Sequence, residues 1–214
     1  MLRVIAYIDG FNLYHSLKPN QKWLDLTKLV DHYLRASNTL SKIKYFTAIC
    51  PWDAQKAQRH NTLIDIYKSQ GIDVILGKFK KLTRRCTNRS AQCIGNHIFE
   101  TYEEKQTDVN IAIHLINDAW EESFDKAIII SGDTDLLPAF DLLRKTFKDK
   151  KIEILFPPNR RADVIKNSYE TIKISNKDLD KSLLDNPYIL NNKEVFAPDS
   201  WMQKNRNYNK KENK

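Results

Sequence analysis

Two aspartates spaced two apart, Asp133 and Asp135, directly follow the apolar run Ala127 to Ile130 in KAIIISGDTDLLPAF. A similar placement opens the chain, where the run Arg3 to Ile8 ends in Asp9, Gly10, Phe11 and Asn12. Asp108 lies one turn ahead of Ile111, Ala112, Leu115 and Ala119, the apolar stripe of VNIAIHLINDAW, and so is aimed at a sheet from a helix start. Carboxylates gathered in a poorly solvated cleft either raise one another's pKa or hold a divalent cation. An oxygen-only set without a compact group of histidines favours magnesium or manganese over zinc. Such an ion suits phosphodiester hydrolysis, because it activates the attacking water, polarises the phosphate and stabilises the leaving oxygen. Plainer roles exist for each acid. Asp133 or Thr134 can cap the helix that follows, and Asp108 gains about 0.3 to 1 kcal/mol from a helix dipole. Glu103 and Glu104 read as a solvent-facing pair.

The elements that must carry these residues alternate. Apolar runs predict strands over 3–8, 44–49, 72–79, 127–130 and 151–156, with an edge strand over 171–174. Helical spacing separates them: a short helix near 13–17, then 25–35, 53–70, 109–120, a helix through Leu136, Leu137, Phe140, Leu143 and Phe147, and a short one from Arg160 and Arg161 to Ser168. This β-α-β grammar predicts an α/β domain with a mostly parallel sheet and right-handed crossovers. In such sheets ligands bind outside the carboxyl ends of the strands, where Asp9 and Asp133 fall. The domain is expected over 1–178, with 179–214 a polar, basic tail.

At 214 residues and 41% hydrophobic content, one core of ordinary size is expected. The formal charge of +8, from 35 Lys and Arg against 27 Asp and Glu, favours a polyanionic partner, nucleic acid first. No run approaches the roughly 20 apolar residues of a membrane span, and MLRVIAYIDG lacks a signal-peptide layout, so a cytoplasmic protein without membrane contact is expected. Cys50, Cys86 and Cys93 are too few and odd for a disulfide framework. Between 78 and 99 the helix-strand pattern lapses into a basic insertion, placed at 78–100, with Lys80, Lys81, Arg84 and Arg85 expected to contact RNA phosphates. Cys86, Cys93 and His97 lack the spacing and the fourth ligand of a zinc site.

VIAYIDGFNLYHSL, EEKQTDVNIAIHLI and AIIISGDTDLLPAFDLLRK, followed by a strand and PPNRRAD in that order, resemble the NYN domain family, PIN-like nucleases of the LabA type. The resemblance covers about residues 1 to 175 and implies a PIN-like three-layer α/β/α sandwich with five to six strands. It also implies ribonuclease activity dependent on magnesium or manganese, with an acidic centre on Asp9, Asp108, Asp133 and Asp135. In that pattern Asn12 positions a water or phosphate, Ser131 and Thr134 orient a carboxylate or touch phosphate, and Lys105 approaches the scissile phosphate. Pairing into a homodimer is common among such domains. A non-catalytic RNA-binding or scaffolding role remains open, as does a flavin- and NADH-dependent pyridine-compound hydroxylase, an activity to which some NYN-like proteins are similar. GDTD after a strand is also similar to HAD-type phosphatases, but their second Asp would fall at Phe11. A dinucleotide fold would want more than the single glycine of DGFNLY.

Overall fold

The structure, a computed structural model, describes residues 1–86, 97–160 and 162–202. Its centre is a six-stranded parallel sheet. The chain enters on β1 (Leu2–Asp9), steps outward to β2 (Asn38–Thr47) and β3 (Asp73–Leu76), then returns to the other flank of β1 with β6 (Lys126–Ile130), β7 (Lys151–Phe156) and β8 (Glu170–Lys173). Labels β4 and β5 belong to a hairpin outside this sheet, Lys78–Arg85 paired antiparallel with Ile98–Lys105. The order β3-β2-β1-β6-β7-β8 reverses between β1 and β6, which places a topological switch point at their carboxyl ends.

Both faces of the sheet are covered, which explains why the central strands read as unbroken apolar runs. Val4, Ala6, Ile8, Ile128 and Ile130 join one core, beneath Leu13 of α1 (Gly10–Ser16), Leu26, Leu29 and Val30 of α2 (Leu26–Tyr33), and Leu63 and Ile66 of α3 (Ala54–Ser69). Ile5, Tyr7, Ala127 and Ile129 join the other, against α4 (Thr107–Trp120), α5 (Leu137–Thr146) and α6 (Asp163–Ser168). The expected three-layer α/β/α sandwich is the observed fold.

Three expectations need correction. The strand predicted over 72–79 stops at Leu76. Gly77 then passes so close to α4 that an added Cβ would lie 2.6 Å from Thr107 Oγ1 and 2.8 Å from Lys105 O, and the chain leaves the sheet there. The insertion at 78–100 is hairpin strand over its described part, with the connection 87–96, including Cys93, outside the described residues. The tail expected over 179–214 is folded as far as 202. Within it are the end of α7 (Asn176–Lys181), a hairpin of β9 (Tyr188–Leu190) and β10 (Lys193–Val195), and α8 (Asp199–Met202). Leu179, Leu184, Ala197 and Trp201 are buried in the first core, and Leu184 N–H donates to Trp23 O at 3.0 Å while Trp23 Nε1–H donates to Asp185 O at 3.0 Å. Anchors this far apart in sequence carry no periodicity, so composition alone makes the segment look unstructured. Residues 203–214 lie outside the described residues.

Candidate acidic cleft at the switch point

Asp9 ends β1 and caps α1, its Oδ1 accepting from Asn12 N–H at 2.8 Å. Gly10 is required here: an added Cβ would come within 2.6 Å of the Tyr45 ring and 2.7 Å of Phe46 O on β2. The turn is tied to the next strand over. Ser131 Oγ donates to Asp9 Oδ2 at 2.9 Å and accepts from Asp133 N–H at 3.1 Å, while Gly132 N–H donates to Asn12 Oδ1 at 3.2 Å. Asp133 in turn caps a short 3-10 turn through Asp135 N–H at 3.0 Å. Capping and placement at the sheet edge are therefore the same act, because a carboxylate that accepts backbone N–H groups is held rigidly at the end of its strand.

Asp108 arrives from the opposite layer in the first turn of α4. That helix is fixed by a buried polar contact at its far end, where Asp118 accepts from Tyr7 O–H at 2.7 Å and meets Lys44 Nζ at 2.6 Å. Its start is preceded by Gln106 at φ 78°, a left-handed conformation uncommon for a non-glycine residue.

A cleft of about 270 Å³ results, lined by Asp9, Asn12, Asp108 and Asp133 together with Glu104. Among the described residues, no lysine or arginine lines it. Burial pushes the Asp9 carboxyl up to about 6, and repulsion from Asp108 and Asp133 adds to this against the hydrogen bonds from Asn12 and Ser131. Glu104 is pushed up to about 7, first by burial and then by Asp9 and Asp108, against the hydrogen bond from Thr107 Oγ1–H. Asp108 is raised by burial, Asp133 and Asp135. This is the electrostatic signature of negative charge concentrated without compensation.

The expected set is brought together in part. Asp9, Asn12, Asp108 and Asp133 share the cleft, and Ser131 is buried behind it. Asp135 and Thr134 are exposed and do not line it. Lys105 donates to Glu103 at 2.8 Å and is likewise absent from the lining. Among the described residues, no three His, Cys, Asp or Glu side chains are placed to hold one metal ion directly. The donors are nonetheless all oxygen and carry an uncompensated charge, which fits an ion that keeps part of its water shell.

Glu104 joins the cleft although the sequence places it among solvent-facing residues. On β5 Glu104 pairs with Phe79 and its neighbour Glu103 with Lys80; both line the cleft, but Glu103 is tied to Lys105 at 2.8 Å, whereas Glu104 accepts from Thr107 Oγ1–H. The basic residues of β4 are partly met across the hairpin, Lys81 by Glu100 at 2.7 Å and Arg84 by Glu103 at 3.8 Å. Exposed pairs of this kind are screened by solvent and add little to stability.

The fold and the site are those of an α/β/α sandwich with an acidic cleft at its switch point. The family model described as NYN domain matches residues 3–175, and the chain belongs to that family, which is nuclease-like and of the PIN superfamily. A 6-hydroxy-3-succinoylpyridine 3-monooxygenase of Pseudomonas putida is 28% identical over 209 residues, 77% of this chain, and the chain spans 64% of that enzyme's length. The crystal structure of a protein of unknown function from Vibrio parahaemolyticus shares the fold, with a TM-score of 0.50 at 18% identity over 82% of this chain and 94% of that one. Among the described residues no helix is long and apolar enough to cross a membrane.

Proposed function

We propose that the protein is a metal-dependent ribonuclease of the cytoplasm, hydrolysing phosphodiester bonds at the cleft between Asp9 and Asp108. One observation carries this reading: Asp9, Glu104, Asp108 and Asp133 face one small cleft in which no described lysine or arginine takes part. Asp9, Asp108 and Asp133, with Glu104 beside them, are the residues that would hold magnesium or manganese. Bound there, the ion would lower the pKa of a water and offset charge on the phosphate. Asn12, fixed through its Oδ1 to Gly132 N–H, offers its amide N–H groups to a phosphate oxygen. Ser131 holds Asp9 and the Asp133 backbone in register, a positioning role rather than a catalytic one. Thr134, Asp135 and Lys105, outside the cleft, are left to outer contacts with substrate. Purified protein should cleave RNA in magnesium or manganese, stop in EDTA and resume when the ion is restored. Cleavage undiminished in EDTA would remove the metal from the mechanism.

The hairpin strand β4 carries Lys78, Lys80, Lys81, Arg84 and Arg85, a positive surface for the RNA backbone. Replacing Lys80, Lys81, Arg84 and Arg85 together by Ala should weaken RNA binding and flatten its dependence on salt. The logarithmic slope should fall by about 0.7 for each phosphate of a single strand that is no longer neutralised. An unchanged slope would leave β4 as a solvated strand with no part in binding.

A second reading has one observation on its side, the monooxygenase relative. A pyridine hydroxylase of that kind would use a flavin and NADH. Purification of a yellow protein with flavin absorbance would favour it, and a colourless protein that cuts RNA would favour the nuclease.

A further inference from the structure

Beside the acidic cleft lies a second, larger cavity of about 420 Å³ that the hydrolytic reading does not use. Phe11 and Tyr102 line both, so the two are immediate neighbours. Its walls are aromatic and held in place by their own contacts: Trp52 stacks on Tyr102 at 3.9 Å and 17°, and meets the edge of Phe79 at 4.9 Å. Its polar groups include two imidazoles, His15 and His60, and three cations. His60, which burial keeps below its ordinary pKa, contacts Thr47 Oγ1 at 3.1 Å through one ring nitrogen. Lys22, Lys56 and Arg59 add positive charge to the lining.

We propose that this cavity receives one unstacked nucleobase of a single-stranded RNA whose phosphate lies in the acidic cleft, with Trp52 and Phe79 as the stacking wall. The proposal rests on the nuclease reading for the neighbouring phosphate, but its own geometry is separate. A flat π surface, a neutral imidazole beside a hydroxyl, and cations around them match a base, its hydrogen-bonding edge and its adjoining phosphates respectively. The cavity falls within the range of about 300 to 1,000 Å³ that small planar ligands occupy. An aliphatic ligand would leave the aromatic faces without purpose. Adjacency to the cleft points to a nucleotide chain, whose base and phosphate would occupy the two neighbouring cavities. The requirement for a splayed base predicts preference for single strands over duplex.

The test is calorimetric binding of a short unlabelled RNA with calcium in place of magnesium or manganese, to offset the charge of the cleft while cleavage is suppressed, alongside a series of the same RNA with a single abasic position moved along it. One position should lose roughly tenfold in affinity when its base is removed, the scale of one base–aromatic stack. Trp52→Ala should lose a similar factor on intact RNA and lose nothing more on that abasic RNA, while Trp52→Phe keeps most of the affinity. Trp52 is 44% exposed, so truncation leaves the core intact. Bound RNA should also shield Cys50, which lines the cavity, from iodoacetamide in peptide mapping. Equal affinity of Trp52→Ala and wild type for intact RNA would overturn the proposal, as would shielding of Cys50 by nicotinate but not by RNA, which would assign the cavity to a small heteroaromatic acid. Base-dependent binding in a protein that never cuts RNA would keep the pocket and dismiss the nuclease, and cutting that ignores Trp52 would do the reverse.

Discussion

Asp9→Asn should melt at a higher temperature than the native protein in EDTA at pH 7.5, and should cleave RNA at least about a hundredfold more slowly, the scale on which one catalytic group acts. The stability gain follows from the raised carboxyl. An unfolded aspartate titrates near about 3.9, whereas in the fold burial and its acidic neighbours move Asp9 to about 6. Between those values the native state holds a proton that the unfolded chain has released, so stability falls as pH rises from about 4 to about 6 and then levels off. At about 1.4 kcal/mol per pH unit, the ionised side chain costs the metal-free fold about 2 to 3 kcal/mol at neutral pH. Asparagine keeps one oxygen for Asn12 N–H or Ser131 O–H and forfeits the other bond, worth about 1 kcal/mol. A net gain of about 1 to 2 kcal/mol is expected, with a flatter melting temperature across about pH 4 to 6 than the native protein shows. A variant that melts lower at pH 7.5, with an unchanged pH profile, would mean that Asp9 is stabilised in the fold. The expected gain in Asp9→Asn means that function is held at the expense of stability, as at many catalytic centres.

The opposite effect is expected at the other end of the sheet. Lys126 begins β6 with its side chain 5% exposed, and its ammonium lies 2.6 Å from the Glu153 carboxylate, which is fully buried on β7. The two groups meet without hydrogen-bond alignment at that oxygen, and Arg35 reaches the other Glu153 oxygen at 3.4 Å. Lys126→Met leaves the carboxylate with only this distant, half-exposed partner. Breaking a buried pair from one side costs about 3 to 5 kcal/mol, which corresponds to a fall of on the order of 10 °C in melting temperature for a domain of this size. Removing both charges in Lys126→Met/Glu153→Leu should recover most of the loss, because the stranded charge is what destabilises. RNA cleavage per folded molecule should be unchanged, since the pair lies in the amino-terminal halves of β6 and β7 and the cleft at the carboxyl ends of the strands. A loss below about 1 kcal/mol would show that water reaches Glu153.

These two sites differ in how far the sequence discloses them. Asp9 and Asp133 are legible because an apolar run that ends in an acid and a glycine fixes both the strand and its carboxyl end, and parallel topology then brings two such ends together. Asp108 is legible because its helix shows a clean apolar stripe. Asp135 is placed less directly: Asp133 spends one oxygen capping the 3-10 turn, and Asp135, though exposed and not in the lining, is close enough to Asp108 to raise its carboxyl. Glu104 is hidden because its place beside the cleft depends on the pairing of β5 with β4, which nothing in the local sequence states. The aromatic cavity is hidden for a similar reason. Phe11, Trp52, Phe79 and Tyr102 come from four separated segments, and no period relates them. The stretch 179–202 looks unstructured in sequence because burial there depends on single anchors such as Trp201 rather than on a repeating pattern.

The functional reading turns on acids at the switch point that gather to hold a divalent ion. Crystals soaked in manganese and measured near its absorption edge test this directly. The expected result is an anomalous peak inside the cleft among Asp9, Asp108 and Asp133, lost in crystals of Asp133→Asn. A cleft without such a peak while manganese occupies other surface carboxylates would contradict it.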